Sequence, residues 1–87
     1  MEKYYLTVNE VSKKTQVSVY TLRYWEKVFK GILIPERSPG NQRRYTYEDI
    51  ELIFIIKKLL KEELYTIAGA KKILEKTKRK NNLFKIN

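Results

Sequence analysis

Both prolines and two of the three glycines of this 87-residue chain fall between Gly31 and Gly40. Pro35 and Pro39 lack an amide donor, and P-G-N is a turn cluster, so no helix can run through this window. Each segment with helical periodicity must end before it or begin after it. Ile32, Leu33 and Ile34 are strand formers. Two short strands around S-P-G-N predict a hairpin with a basic far side. A lone two-stranded hairpin is marginal in water, so it must lean on the helices.

Two short helices are predicted ahead of the window. The first begins near Asn9, a good N-cap, with Val11 as its buried position. Lys13 and Lys14 lie toward its end, where cations suit the helix dipole. The chain turns at Thr15 and Gln16, Val17 returns to the core, and Ser18 offers a second N-cap. Two helices separated by three or four residues read as a helix-turn-helix. After the window, Thr46 opens a third helix through T-Y-E-D, close to a capping box with Asp49 as its acid. This helix runs to about Lys61 or Glu62. Its apolar arc joins Leu52, Ile53, Ile55, Ile56, Leu59 and Leu60, with Ile50 and Phe54 at the margins. It is either the central core element or it has a second face for another chain. Thr66 caps a fourth helix with one stripe of Ile67, Ala70, Ile73 and Leu74. The expected fold is mostly α: a winged helix-turn-helix of four helices with a small two-stranded β-hairpin wing. Residues 1–76 form the domain and 77–87 a basic, flexible C-terminal tail. Leu83, Phe84 and Ile86 at its end either pack back or start something longer.

The net charge is +9. Such an excess concentrates anionic partners, and nucleic acid leads over anionic lipid and acidic proteins. There is no cysteine and no histidine. Disulfides, the usual zinc sites, Ser-His and Cys-His catalytic pairs and an imidazole switch all lose their parts. The carboxylates are scattered beside lysines on helix faces, and no Walker loop or dinucleotide fingerprint occurs. The chain is therefore read as a non-enzyme without a cofactor. M-E-K-Y-Y-L lacks a signal-peptide pattern and no run nears a membrane span, so a cytoplasmic, nucleoid-associated location is expected.

The second helix, S-V-Y-T-L-R-Y-W-E, divides on a helical wheel. Val19, Leu22 and Trp25 form a core face. Tyr20, Arg23 and Tyr24 lie opposite as one i, i+3, i+4 patch, with Thr21 at its edge. Tyrosine and arginine suit contact surfaces, and the second helix of such a motif enters the major groove. The tyrosines could instead lie along the surface under the hairpin. In the wing, Arg37, Asn41, Gln42, Arg43 and Arg44 form a second cluster fit for phosphate or a narrow minor groove. Successive strand residues face opposite ways, so one of Arg43 and Arg44 contacts DNA and the other pairs elsewhere, with Glu36 or Glu48. Tyr45 and Tyr47 are expected to pack at the hairpin base. Ser18 and Lys13, at the helix ends flanking the turn, complete the candidate set.

In this order, V-N-E-V-S-K-K-T-Q-V-S, T-L-R-Y-W-E, I-P-E-R-S-P-G-N-Q-R-R-Y-T and Y-E-D-I-E-L-I resemble the DNA-binding domain of the MerR family of bacterial transcription regulators. Y-T-I-A-G-A-K-K-I-L resembles the family's fourth helix. The resemblance covers roughly residues 4 to 76. It implies sequence-specific binding of double-stranded DNA, with Arg23 and Tyr24 of the second helix and Arg43 of the wing in contact and Arg37 and Arg44 as partners. Gln16 stands where the family usually has glycine. Family members typically continue into a long dimerisation helix and an effector domain. A pseudo-palindromic operator would thus call for a homodimer, or for a longer parent chain supplying that helix. Two other readings remain open: an excisionase-like architectural DNA-binding protein, and a protein-interaction module docking a partner on the third helix.

Overall fold

The computed structural model describes residues 4–81, with side chains as far as Lys76. The elements run α1 (Val8–Thr15), α2 (Val19–Val28), β1 (Glu36–Arg37), β2 (Arg43–Arg44), α3 (Tyr47–Lys57) and α4 (Ile67–Asn81). A wider π turn, Lys58–Glu62, prolongs α3 to the end expected from sequence. Among the described residues no helix is long and apolar enough to cross a membrane.

The first helix starts earlier than expected, because its N-cap is Thr7 and not Asn9. The Thr7 hydroxyl accepts from the Glu10 amide at 3.2 Å, and the Glu10 carboxylate accepts from the Thr7 amide at 2.8 Å. This capping box satisfies two end donors at once, where an Asn9 cap would satisfy one. At the other end Gln16 takes a left-handed conformation (φ 62°) and its amide donates to Ser12. Lys57, at the end of α3, donates to the Thr15 carbonyl at 2.9 Å. A cation thus sits at the negative end of α1 and ties α3 to the turn. Val17 is buried, and the Ser18 hydroxyl caps α2 by accepting from the Thr21 amide at 3.0 Å.

Ile32–Ile34 do not form the first strand. The Phe29 carbonyl accepts from both Ile32 and Leu33, and Gly31 turns the chain with φ 85°. That turn buries Ile32 and Leu33 and leaves Ile34 outside. Pairing begins later, with Glu36 opposite Arg44 and Arg37 opposite Arg43. The Asn41 amide donates to the Ser38 carbonyl, and the Ser38 amide to Gln42. Pro39 and Gly40 form the turn, and Asn41 (φ 66°) supplies the left-handed residue that a three-residue hairpin loop needs.

Beyond the strands, Leu6 and Tyr45 exchange backbone hydrogen bonds at 2.8 and 2.9 Å, adding the N-terminal segment to the wing's second strand. Tyr45 then enters a core built from Val11, Leu22, Trp25, Phe29, Leu33, Ile53 and Ile56, as expected of a residue at the hairpin base. Tyr47, expected beside it, is instead exposed and stacks on Tyr4, ring centroids 5.5 Å apart. The Thr46–Asp49 capping box opens α3, whose Ile50, Leu52, Ile53 and Ile56 are buried while Phe54 lies half exposed. Thr66 accepts from the Gly69 amide at 3.0 Å at the start of α4, and Ala70 and Leu74 bury its inner stripe. The α4 helix continues past Lys76, the expected domain boundary, to Asn81. Leu83, Phe84 and Ile86 lie outside the described residues.

The Tyr45 hydroxyl is buried without a hydrogen-bond partner among the described residues, and burial pushes its pKa from 10.0 up to about 12. A phenol held neutral in the fold contributes stability that is complete below the unfolded value and lost as pH rises through the folded one. Tyr45→Phe should flatten the fall in stability between about pH 10 and about pH 12 relative to the parent. At neutral pH it should cost less than about 1 kcal/mol, since it removes an unsatisfied group. Denaturant titrations at several pH values check both; a neutral-pH loss above about 2 kcal/mol would show that the hydroxyl is bonded.

Candidate nucleic-acid interface

The two faces of α2 separate as the wheel predicts. Leu22 and Trp25 are buried and Val19 half-buried, while Arg23 is exposed, Tyr24 is 45% exposed and Tyr20 83%. Arg23 makes no hydrogen bond or ion pair among the described residues, so its guanidinium is free. Thr21 is half-buried at the edge, its hydroxyl accepting from Ser18 at 3.0 Å. Ser18 is thus exposed but committed to the cap, and Lys13 is exposed on α1.

The wing is gripped on both faces. On one, Arg43 Nε donates to Glu26 Oε2 of α2 at 2.6 Å, and the Arg37 guanidinium lies 3.8 Å from the other carboxylate oxygen. The hydrogen bond to Glu26 raises the Arg43 pKa further. Arg37 also donates to the Asn41 carbonyl at 3.4 Å, across the loop. On the other face, the Arg44 guanidinium lies 4.3 Å from the centre of the Tyr5 ring, whose hydroxyl donates to Glu36 at 2.8 Å. Arg43 and Arg44 therefore face opposite ways, but their partners differ from expectation. The carboxylate that holds Arg43 is Glu26, not Glu36 or Glu48, because the face of β2 carrying Arg43 is the one against α2. Arg44 packs on an aromatic ring, with its Nε buried and without a hydrogen bond among the described residues.

A recess of about 400 Å³ brings three elements together: Thr7, Val8 and Asn9 at the start of α1, Arg23 of α2, and Asn41, Gln42 and Arg43 of the wing. Of the residues singled out from sequence, Arg23, Asn41, Gln42 and Arg43 meet here. Tyr20 and Tyr24 extend the same helix face outward. Arg37 lines a separate, more apolar groove with Glu26, Leu33 and Ile34. Neither Lys13 nor Arg44 lines the recess. Sequence reasoning missed Glu26 and Tyr5. Glu26 carried a signal: it is the one acid of α2, on a helix whose other polar side chains are the hydroxyls of Tyr20, Thr21 and Tyr24 and the cations of Arg23 and Lys27.

A helix-turn-helix whose second helix stands beside a β-hairpin defines the winged helix-turn-helix class. Within that class, the profile of the MerR HTH family regulatory proteins matches residues 6–77, and the chain belongs to that family. It is 39% identical over 54 residues to the uncharacterised HTH-type transcriptional regulator YyaN of Bacillus subtilis, covering 61% of this chain and 38% of that one. To HspR of Streptomyces coelicolor it is 38% identical over 55 residues, 63% of this chain and 35% of the relative. To the HTH-type transcriptional regulator GlnR of Bacillus anthracis it is 35% identical over 60 residues, 69% and 44%. The chain thus matches less than half the length of each of these relatives.

The geometry separates residues that hold the wing from residues that face outward. Tyr20→Ala and Arg23→Ala should each change stability by less than about 0.5 kcal/mol. Tyr5→Ala, which removes a ring contact to Arg44 and a hydrogen bond to Glu36, should cost about 1–2 kcal/mol. Urea denaturation of the three variants distinguishes the two groups.

Proposed function

We propose that this chain binds double-stranded DNA in a sequence-specific way and regulates transcription. Helix α2 enters the major groove, with Tyr20, Thr21, Arg23 and Tyr24 toward bases and phosphates and Ser18 at its N-terminus beside the backbone. The wing lies on phosphates or in the adjacent minor groove through Arg37, Asn41, Gln42 and Arg43. Lys13 adds a phosphate contact from α1, and Arg44 supports the wing from behind. The carrying observation is the free Arg23 between two outward tyrosines, placed over a recess shared with the wing tip. The net charge of +9 favours the same partner. Two domains held side by side would read a pseudo-palindromic operator with half-sites about one helical turn apart.

Arg23→Ala should weaken binding to a duplex selected from random sequence by about 5- to 100-fold, with the fold intact. For the parent, log K should fall against log salt with a slope of about −4 to −7, as several phosphate contacts require. Fluorescence anisotropy on that duplex measures both. An unchanged affinity would remove Arg23 from the interface, and failure of the parent to enrich any sequence would remove the DNA reading altogether.

A further inference from the structure

Glu26 is a carboxylate on the very elements assigned to a polyanion. Electrostatics alone would make it a defect, since a fixed negative charge repels phosphate. Its surroundings give it another use. Its side chain is only 16% exposed and lies between α2 and the wing. It meets two arginines that stand directly opposite each other in the hairpin register, Arg37 and Arg43. Like charges at such a cross-strand position repel, and a carboxylate between them removes the conflict. Arg43 is held through Nε in a short charge-assisted bond, which leaves its remaining guanidinium N–H groups available and fixes their direction.

We infer that Glu26 is a positioning residue for DNA recognition: it latches the wing to α2 and so sets the spacing between the helix in the groove and the arginines on the backbone. Glu26 lies one turn beyond Arg23 on the same helix, so a single rigid element carries both the reading face and the latch. This inference rests on the DNA-binding reading above. It gives that reading a specificity determinant which touches no DNA.

The test compares the parent with Glu26→Gln on two duplexes of equal length at one salt concentration, the sequence that the parent selects and a scrambled version. Purely electrostatic reasoning expects the variant to bind both more tightly. The latch expects the selected duplex to be bound about tenfold more weakly, and the scrambled one equally or more tightly. Amide hydrogen exchange without DNA supplies an independent arm. Protection at Ser38, whose amide is bonded across the hairpin, should fall in the variant while the amides of α1 and α2 keep theirs. Glu26→Asp keeps the charge and shortens the reach, and should give the same pattern more weakly should Glu26→Gln fail to fold. Unchanged discrimination between the duplexes, or unchanged exchange at Ser38, overturns the latch. A parent that selects no sequence overturns the DNA reading, while the exchange arm still decides whether Glu26 holds the wing.

Discussion

The fold depends on how a hairpin with two residues in each strand is kept in place. Strands this short cannot stand alone. Here each cross-strand pair grips one residue of another element. Arg37 and Arg43 meet Glu26 of α2, while Glu36 and Arg44 meet Tyr5 of the N-terminal segment. The alternation of side chains along a strand makes these grips fall on opposite faces. The Leu6–Tyr45 bridge continues the ladder, and the buried Tyr45 roots it in the core. The wing is thus a clamped plate and not a free arm, and its orientation is inherited from α2 and the N-terminal segment.

The helix-turn-helix rests on a different device. The turn between α1 and α2 carries Gln16 in a left-handed conformation that favours glycine. That strain, on the order of 1 kcal/mol, is tolerated because the surrounding bonds leave the turn little choice. The Gln16 amide closes onto Ser12, the Ser12 hydroxyl donates to Val17 at 2.6 Å, and Lys57 reaches in from α3 to the Thr15 carbonyl. The Lys57 contact is worth noting for its sequence distance of 42 residues. It couples the last turn of the central helix to the turn that aims α2.

What could be read from sequence follows from the range of the forces involved. The division of α2 into Leu22 and Trp25 against Tyr20, Arg23 and Tyr24 is a matter of helical period, and it was readable. So were the Ser18 cap and the Thr46–Asp49 box, which are local chemistry. The cap of α1 is local chemistry too: T-V-N-E holds a full box at Thr7 and Glu10, which outweighs the single cap that Asn9 offers. The Ile32–Ile34 stretch failed for another reason. Its strand propensity is real, but Phe29 and Gly31 turn it inward before any partner strand is available. The partners of Arg43 and Arg44 were beyond reach, because they depend on which face of the wing meets α2. No spacing within the chain encodes that.

An arginine already bonded within the protein is not thereby withdrawn from a ligand. A guanidinium has five N–H donors, and the ion pair of Arg43 uses the one on Nε. Its direction is set before any partner arrives, so less side-chain freedom would be lost in the proposed phosphate contact. Arg23, with no such partner among the described residues, carries the opposite character: on the proposed reading it would be ordered only on binding, and so could adapt to a base or a phosphate. Both line the same recess, one fixed and one free. On the proposed DNA-binding reading, such a pairing suits a surface that registers against a regular backbone while it reads an irregular sequence. The fixed arginine can serve position and the free one choice, which makes the carboxylate that does the fixing as consequential as either cation.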